Sequence, residues 1–384
     1  MKVRKKPSRM SSINSLNKAV ALVLAGLIGA SGCAVKGLFP ATGSVGHGKK
    51  ITVAVFPVEN LSGKPAPLKE MRQALIKSIT GPDVSLLGDE ELERFMARHR
   101  VRYTGGIDTE TALALKAELG ADAVLITSLE QYNENAPPEI AVICRLVSVG
   151  DPPLILWMDI RGLAGDDSPG ILGLGLIDDP AVLRSKVLGM LADSLAGYLS
   201  GKRERAHRRD GKKRFEPKIV YRAPSLPREK ANYAVAVTPF FNSSDRKNAG
   251  EILVLHLVKD LALAGNFSVI EPGVLRRKLL NFRVIMNEGL SLADEDLIAQ
   301  SLGADLIFTG EVVQYQDGES SRGRPKVDFF VLAIERSAKK VVWSSESYNQ
   351  GDDGVYFFDY GKVNTASALA SEMTRSLVEK ISER

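Results

Sequence analysis

The sequence predicts an α/β protein made of two tandem copies of one domain. Each copy is expected to be a mixed five-stranded sheet covered by helices in two or three layers, with the element order βαβααβββα. Three observations predict it. Apolar, β-branched runs alternate with amphipathic helical segments in the same order in both halves. Short motifs of the first half recur in the second at a nearly constant offset. The chain has 384 residues, enough for roughly two or three domains of ordinary size.

The repeats are modest singly and consistent together. Ala54-Val55-Phe56-Pro57-Val58-Glu59-Asn60-Leu61-Ser62 matches Ala236-Val237-Thr238-Pro239-Phe240-Phe241-Asn242-Ser243-Ser244 at an offset of 182. Leu119-Gly120-Ala121-Asp122 matches Leu302-Gly303-Ala304-Asp305 at 183. Trp157 and Trp343, the chain's two tryptophans, correspond at 186, as do Gly165-Asp166-Asp167 and Gly351-Asp352-Asp353. This period is far too long for a solenoid and reads as an internal duplication.

Each copy opens on a strand apolar on both faces, 51–58 and 233–241. A helix follows, with stripes Leu68, Met71, Leu75, Ile79 and Ile252, Leu255, Val258, Leu261. Short strands come next at 84–87 and 267–270. Asp89 is expected to cap a helix over 90–98, and 273–282 reads as its counterpart. Asp108 and Ser291 head helices that end at Gly120 and Gly303, glycines suited to a left-handed C′ position. Ser291 with Asp294 makes a capping-box pair. Strands at 123–132 and 306–315 follow, then hairpins at 140–160 and 327–348. Asp179 and Pro180 supply the cap and first residue of the closing helix, with stripe Leu183, Val187, Leu191, Leu195. The second closing stripe is Leu369, Met373, Leu377, Ile381.

The amino-terminal segment reads as a targeting signal over 1–32. A basic stretch precedes the 12-residue apolar run Ala19–Ala30, too short to span a bilayer and suited to a secretory h-region. Ala30-Ser31-Gly32-Cys33 resembles the lipobox of bacterial lipoproteins, in which Cys33 becomes the acylated amino terminus. Two acyl chains anchor a protein stably, so membrane attachment needs no spanning helix. Ala34 after the cysteine implies sorting to the outer membrane of a Gram-negative cell, facing the periplasm. Residues 33–50 are then the lipidated cysteine and a flexible tether. Domain 1 is expected over 51–200 and domain 2 over 232–384.

The formal charge of +5 rests on the signal. Its six basic residues have no acidic counterweight; without them 45 basic face 46 acidic residues. Nucleic acid is therefore not an expected partner. The segment 201–231 reads as a basic linker, holding 12 Lys or Arg against 4 Asp or Glu over 201–230. It is expected to be a solvated connector, with anionic lipid or lipopolysaccharide as its candidate partners.

The motif Val235-Ala236-Val237-Thr238-Pro239-Phe240-Phe241-Asn242, then Leu302-Gly303-Ala304-Asp305, then Val341-Val342-Trp343 resembles the CsgG-like and TolB-amino-terminal-like superfamily of bacterial envelope proteins, which includes LpoB and FlgT. The resemblance covers most of the mature chain as two copies. It implies a non-catalytic periplasmic module that binds other proteins, by scaffolding envelope assembly, by serving secretion as CsgG does, or by activating peptidoglycan synthesis as LpoB does. A secretion channel would require added amphipathic hairpins, for which both copies leave no segment.

Enzyme signatures are absent: no Gly-x-Ser-x-Gly, His-Glu-x-x-His, phosphate loop or Cys-x-x-Cys occurs. His47, His99, His207 and His256 are too dispersed to suggest a triad. No cofactor is expected, nor a metal centre, since two cysteines and four histidines suit neither a zinc site nor a disulfide framework. Cys144 is expected as a buried structural thiol. Pro57 and Pro239 should end the first ladder, and Asn60 and Asn242 suit Asx-turns beyond it. Trp157 and Trp343 read as core residues. Asp166, Asp167, Asp352 and Asp353 are the candidate partner contacts, although a turn accounts for them better, since two adjacent carboxylates make an incomplete Ca²⁺ cage.

Overall fold

The structure is a computed structural model that describes residues 50–81, 84–168, 175–201, 214–224, 226, 232–284, 292–318, 323–355 and 361–382, with 292–296 by backbone alone. Cys33, its tether to residue 49, Ser291 and most of the basic linker lie outside the described residues.

In the first copy, strands β1 (Ile51–Val55) and β2 (Glu59–Asn60) precede helix α1 (Leu68–Ile79) and strand β3 (Val84–Leu86). Helices α2 (Asp89–Arg98) and α3 (Thr109–Leu119) lead to strands β4 (Ala123–Asn133), β5 (Glu139–Ser148) and β6 (Ile155–Ala164), and helix α4 (Pro180–Leu199) closes the unit. The sheet order is β3-β1-β4-β5-β6, with β2 also paired to β4. The β3, β1 and β4 pairings are parallel, and β4, β5 and β6 are antiparallel.

The second copy begins with strand β7 (Ile219–Arg222), then β8 (Tyr233–Val237), β9 (Phe241–Asn242), α5 (Ala249–Ala264), β10 (Phe267–Val269), α6 (Pro272–Asn281) and α7 (Leu292–Leu302). Strands β11 (Leu306–Gln316), β12 (Lys326–Glu335) and β13 (Lys340–Gln350) and helix α8 (Ala366–Ser382) complete it. The order is β10-β8-β11-β12-β13-β7, with β9 beside β11. Mixed α/β architecture and repeated topology are therefore as expected.

The local devices repeat as well. Gly120 and Gly303 end their helices at φ +65° and +64°, the left-handed conformation that glycine adopts without steric cost. The aspartate two residues on then receives the neighbouring strand: Asp122 Oδ2 accepts from Thr52 N at 2.9 Å and Asp305 Oδ2 from Ala234 N at 3.0 Å. Asn60 and Asn242 form the expected Asx-turns, accepting from Ser62 N at 3.0 Å and Ser244 N at 3.1 Å. A β-bulge interrupts β4 between Leu129 and Gln131, and β11 between Val312 and Gln314. The bulged residues, Glu130 and Val313, thus occupy equivalent places.

Some expectations shift. The first strand stops at Val55 rather than Val58: Phe56 still donates to Leu125, Pro57 cannot, and pairing resumes only at β2. Gly88, not Asp89, is the N-cap of α2; Asp89 instead pairs with Arg72 at 2.7 Å. Residues 214–224 are not all connector. Arg214 donates to the carbonyls of Gly351, Asp353 and Gly361, Phe215 is buried, and β7 adds a strand that the first sheet lacks.

Both faces of the first sheet are covered. Val53, Val55, Leu125, Val142 and Trp157 pack with Met71, Leu75, Leu183 and Leu191 from α1 and α4. Ala54, Phe56, Val124 and Ile126 pack with Leu92, Phe95 and Leu115 from α2 and α3. Over the hairpin this second face passes to the other copy: Ile143, Met158 and Ile160 join the core built on α5 and α8. The two copies therefore share a hydrophobic cluster at their contact, beside clusters that belong to the first copy alone. Burying three such side chains contributes roughly 1.5–3 kcal/mol each. Helix α5 is buried at every position from Ile252 to Val258, as a helix between two sheets must be.

Candidate functional site

Two buried polar clusters cross the seam between the copies. Arg145, on β5, is fully buried and reaches Glu271, the N-cap of α6, through Nε (3.2 Å) and Nη2 (3.1 Å). It also donates to the Gly105 carbonyl. The same carboxylate accepts from Ile107 N at 3.3 Å. Here the backbones nearly touch: a Cβ on Gly106 would lie 2.8 Å from Gly273 Cα.

The second cluster centres on Glu130. The bulge turns this side chain off the β4 ladder, into contact with the other copy. It accepts from His256 at 3.1 Å, from Ser367 at 2.8 Å and from the Tyr315 hydroxyl. His256 also meets the Ser371 hydroxyl at 2.9 Å. Burial would raise the Glu130 carboxyl, but His256 and these hydrogen bonds hold it below the ordinary carboxylate value. Arg246 adds a clasp, donating to the carbonyls of Ser62 (2.6 Å) and Glu130. Serine, histidine and glutamate are thus hydrogen-bonded in series, at the packed contact of α5 and α8 with β4.

Beside the first cluster lies a cavity of about 410 Å³ at the carboxyl end of β8. Glu59 and Tyr103 of the first copy line it, with Glu251 and Arg276 of the second. Leu61, Pro239, Phe240, Val254 and Leu275 form its apolar walls. Glu59 accepts from Ser128 Oγ at 2.6 Å, and the Arg276 guanidinium stacks 4.3 Å from the Tyr103 ring centroid. Burial raises both carboxyls above their ordinary value, against the opposing pull of Arg276. Crevices at strand carboxyl ends are where open α/β sheets take ligands.

The Gly-Asp-Asp segments form matched turns. Asp167 Oδ2 accepts from Ala164 N at 2.8 Å, and Asp353 Oδ2 from Gln350 N at 2.9 Å. Gly165 and Gly351 sit where a Cβ would come within 2.1 Å of the Ile177 and Val363 carbonyls. Asp167 also accepts from Asn364 of the other copy at 3.0 Å, and Asp352 pairs with Arg324 at 2.8 Å. Asp166 faces the buried Glu139, whose carboxyl is pushed up to about 8 by burial and then by Asp317 and Asp166. Among the described residues, no three His, Cys, Asp or Glu side chains are arranged to hold a metal ion. Cys144 is buried against Thr127 at 3.1 Å, and burial pushes its thiol up to about 12. Trp157 and Trp343 are buried and donate to Ser194 and Ser345.

Sequence reasoning missed the seam. Two signals mark it: a glutamate inside the apolar strand 123–133 and a histidine inside the apolar run Ile252–Val258, each a polar group that burial obliges to find a partner.

No protein-family model matches the chain, and no curated protein matches it. Several solved structures resemble part of it. The PelC dodecamer from Paraburkholderia phytofirmans is 18% identical, with a TM-score of 0.31, over 43% of this chain and 96% of that one. Lipoprotein GNA1162 from Neisseria meningitidis is 16% identical, with a TM-score of 0.29, over 39% and 97%. The LpoB C-terminal domain from Salmonella enterica is 18% identical, with a TM-score of 0.26, over 31% and 87%.

Proposed function

We propose that this chain is a non-catalytic envelope lipoprotein, anchored through Cys33 to the outer membrane and facing the periplasm, whose two fused domains act as one rigid binding body. The observation that carries the rigid-body reading is the pair of buried polar clusters joining the copies, Arg145 with Glu271 and Glu130 with His256, Tyr315 and Ser367. Hinged domains seldom bury charge across their contact, since opening would strand it. The basic amino terminus, the short apolar run and Cys33 support the anchor. Among the described residues, no helix is long and apolar enough to cross a membrane.

The partner is then a protein of envelope assembly or secretion. A flexible chain of 17 residues reaches about 20–25 Å on average, so a tether over 34–50 would keep the binding body close to its membrane. That favours scaffolding there over LpoB-like reach through the cell wall.

Two measurements test this. Cys33→Ser should abolish palmitate labelling and release the protein from the membrane fraction. Crosslinking in intact cells, followed by capture of the wild-type protein, should recover a defined envelope partner. A Cys33→Ser protein still held in membranes, or a wild-type chain that crosslinks to nothing, would refute the proposal.

A further inference from the structure

In the first copy, one face of the β5–β6 hairpin is taken up by the second copy: Ile143, Met158 and Ile160 lie in the cluster built on α5 and α8. The second copy has the same face and leaves it open. The pairing registers put Phe330 where Ile143 stands, Leu332 for Arg145, Ser344 and Glu346 for Met158 and Ile160, and Tyr348 for Gly162. Phe330 and Leu332 are half-buried and Tyr348 is 54% exposed. Strand β7 widens the face with Tyr221 and Ile219, which pair with Ser344 and Glu346 and are exposed. Apolar and aromatic side chains gathered on one side of a sheet mark an interaction surface.

The seam indicates what docks there. It sets the sheet of the first copy against α5 and α8 of the second. The same contact made once more sets the sheet of the second copy against the matching helices, α1 and α4, of another molecule. Three seam pairs test the match. Glu130 with His256 becomes Val313 with Ala74, at offsets of 183 and 182. Gly162 with Ser367 becomes Tyr348 with Ala181, both at 186, the larger tyrosine meeting the smaller alanine. Arg145 with Glu271, the N-cap of α6, becomes Leu332 with Gly88, the N-cap of α2. Beside Gly88, Asp89 is already held by Arg72 at 2.7 Å. Both members of each pair change together, so the repeated contact strands none of the charges that the seam buries. Charge also agrees. The sheet face carries Glu311, Asp328 and Glu346, and burial and Glu346 raise the Asp328 carboxyl. Among the helix positions that match the seam, Lys77 and Arg184 stand against Glu70 alone.

We infer that the open sheet face of the second copy is an interface for another molecule of this chain, which docks α1 and α4 of its first copy there, head to tail. The two surfaces differ, so the contact is heterologous and propagates to a ring or a filament.

The test uses the full lipidated chain in native membranes, with cysteines at two exposed positions that the interface brings together, Tyr348→Cys and Ala181→Cys. Cys144 is buried and supplies no competing thiol. After mild oxidation the double variant should give a ladder of covalent oligomers on a non-reducing gel. Each single variant should stay monomeric, and the two expressed together should stop at dimers. Leu113→Cys, at an exposed position on α3, combined with Ala181→Cys reports random collision. Adding Val313→Glu to the double variant sets a carboxylate against Ala74 and should weaken the ladder roughly tenfold or more; Val313 is 47% exposed, so the fold tolerates the change. A double variant that stays monomeric overturns the inference. So does a dimer from Tyr348→Cys alone, which would mean that two sheet faces meet, a ladder as strong from the Leu113→Cys pair, or one undiminished by Val313→Glu. The scaffold reading survives such a failure, because it is tested by partner capture.

Discussion

Arg145 and Glu271 illustrate how much a single pair can determine. Both are fully buried, and the arginine bridges two copies that the chain separates by 126 residues. Arg145→Met would leave the Glu271 carboxylate buried without its cation, which costs about 3–5 kcal/mol. Urea denaturation should show that loss as a lower midpoint. Glu139 gives the opposite sign. Its carboxyl is raised to about 8 in the fold, against about 4.3 in an unfolded chain. A carboxyl raised by folding contributes its full stability below the unfolded value and loses it as pH rises through the folded one. Stability should therefore fall between about pH 5 and 8. Glu139→Gln should flatten that slope, as thermal melting across the range will register; an unchanged slope removes Glu139 as its source.

At the scale of elements, the strands and helices were legible because their signals are local. Periodicity located the helices and the longer strands of both copies, and two glycines with two aspartates marked the matching helix-to-strand corners. The seam was illegible for a related reason. Glu130 and His256 are also 126 residues apart, and no spacing rule joins them. One clue was available: α1 has a polar outer side, whereas α5 is apolar but for His256 from Ile252 to Val258 and must be covered twice. Reading only the stripe Ile252, Leu255, Val258, Leu261 hides the second face. Strand β7 was hidden because charge dominated the composition of 201–230. Ile219-Val220-Tyr221 is the β-branched and aromatic run within it, too short to announce a strand. The cavity was invisible for want of a motif, since residues far apart in both copies line it.

For the whole molecule, a shared hydrophobic cluster and buried charges predict a single cooperative unfolding event. Nature supplies the probes: Trp157 reports the first copy and Trp343 the second. Trp157→Phe and Trp343→Phe variants should give coincident transitions by fluorescence, each matching far-ultraviolet circular dichroism on the same sample. Two separated transitions would mean that the seam does not bind the halves into one body.

The bulge shared by β4 and β11 carries a last consequence. Its occupant is Glu130 in one copy and the half-exposed Val313 in the other. Likewise Gly162, which lets Ser367 approach, is answered by Tyr348 through the register that aligns the two tryptophans. The descendants of one ancestral module have thus become plug and socket, each shaped for its sibling. Writing either one twice in a gene would bring together two like surfaces and strand Glu130 or His256 without its partner, so such a duplication should be lethal to the fold.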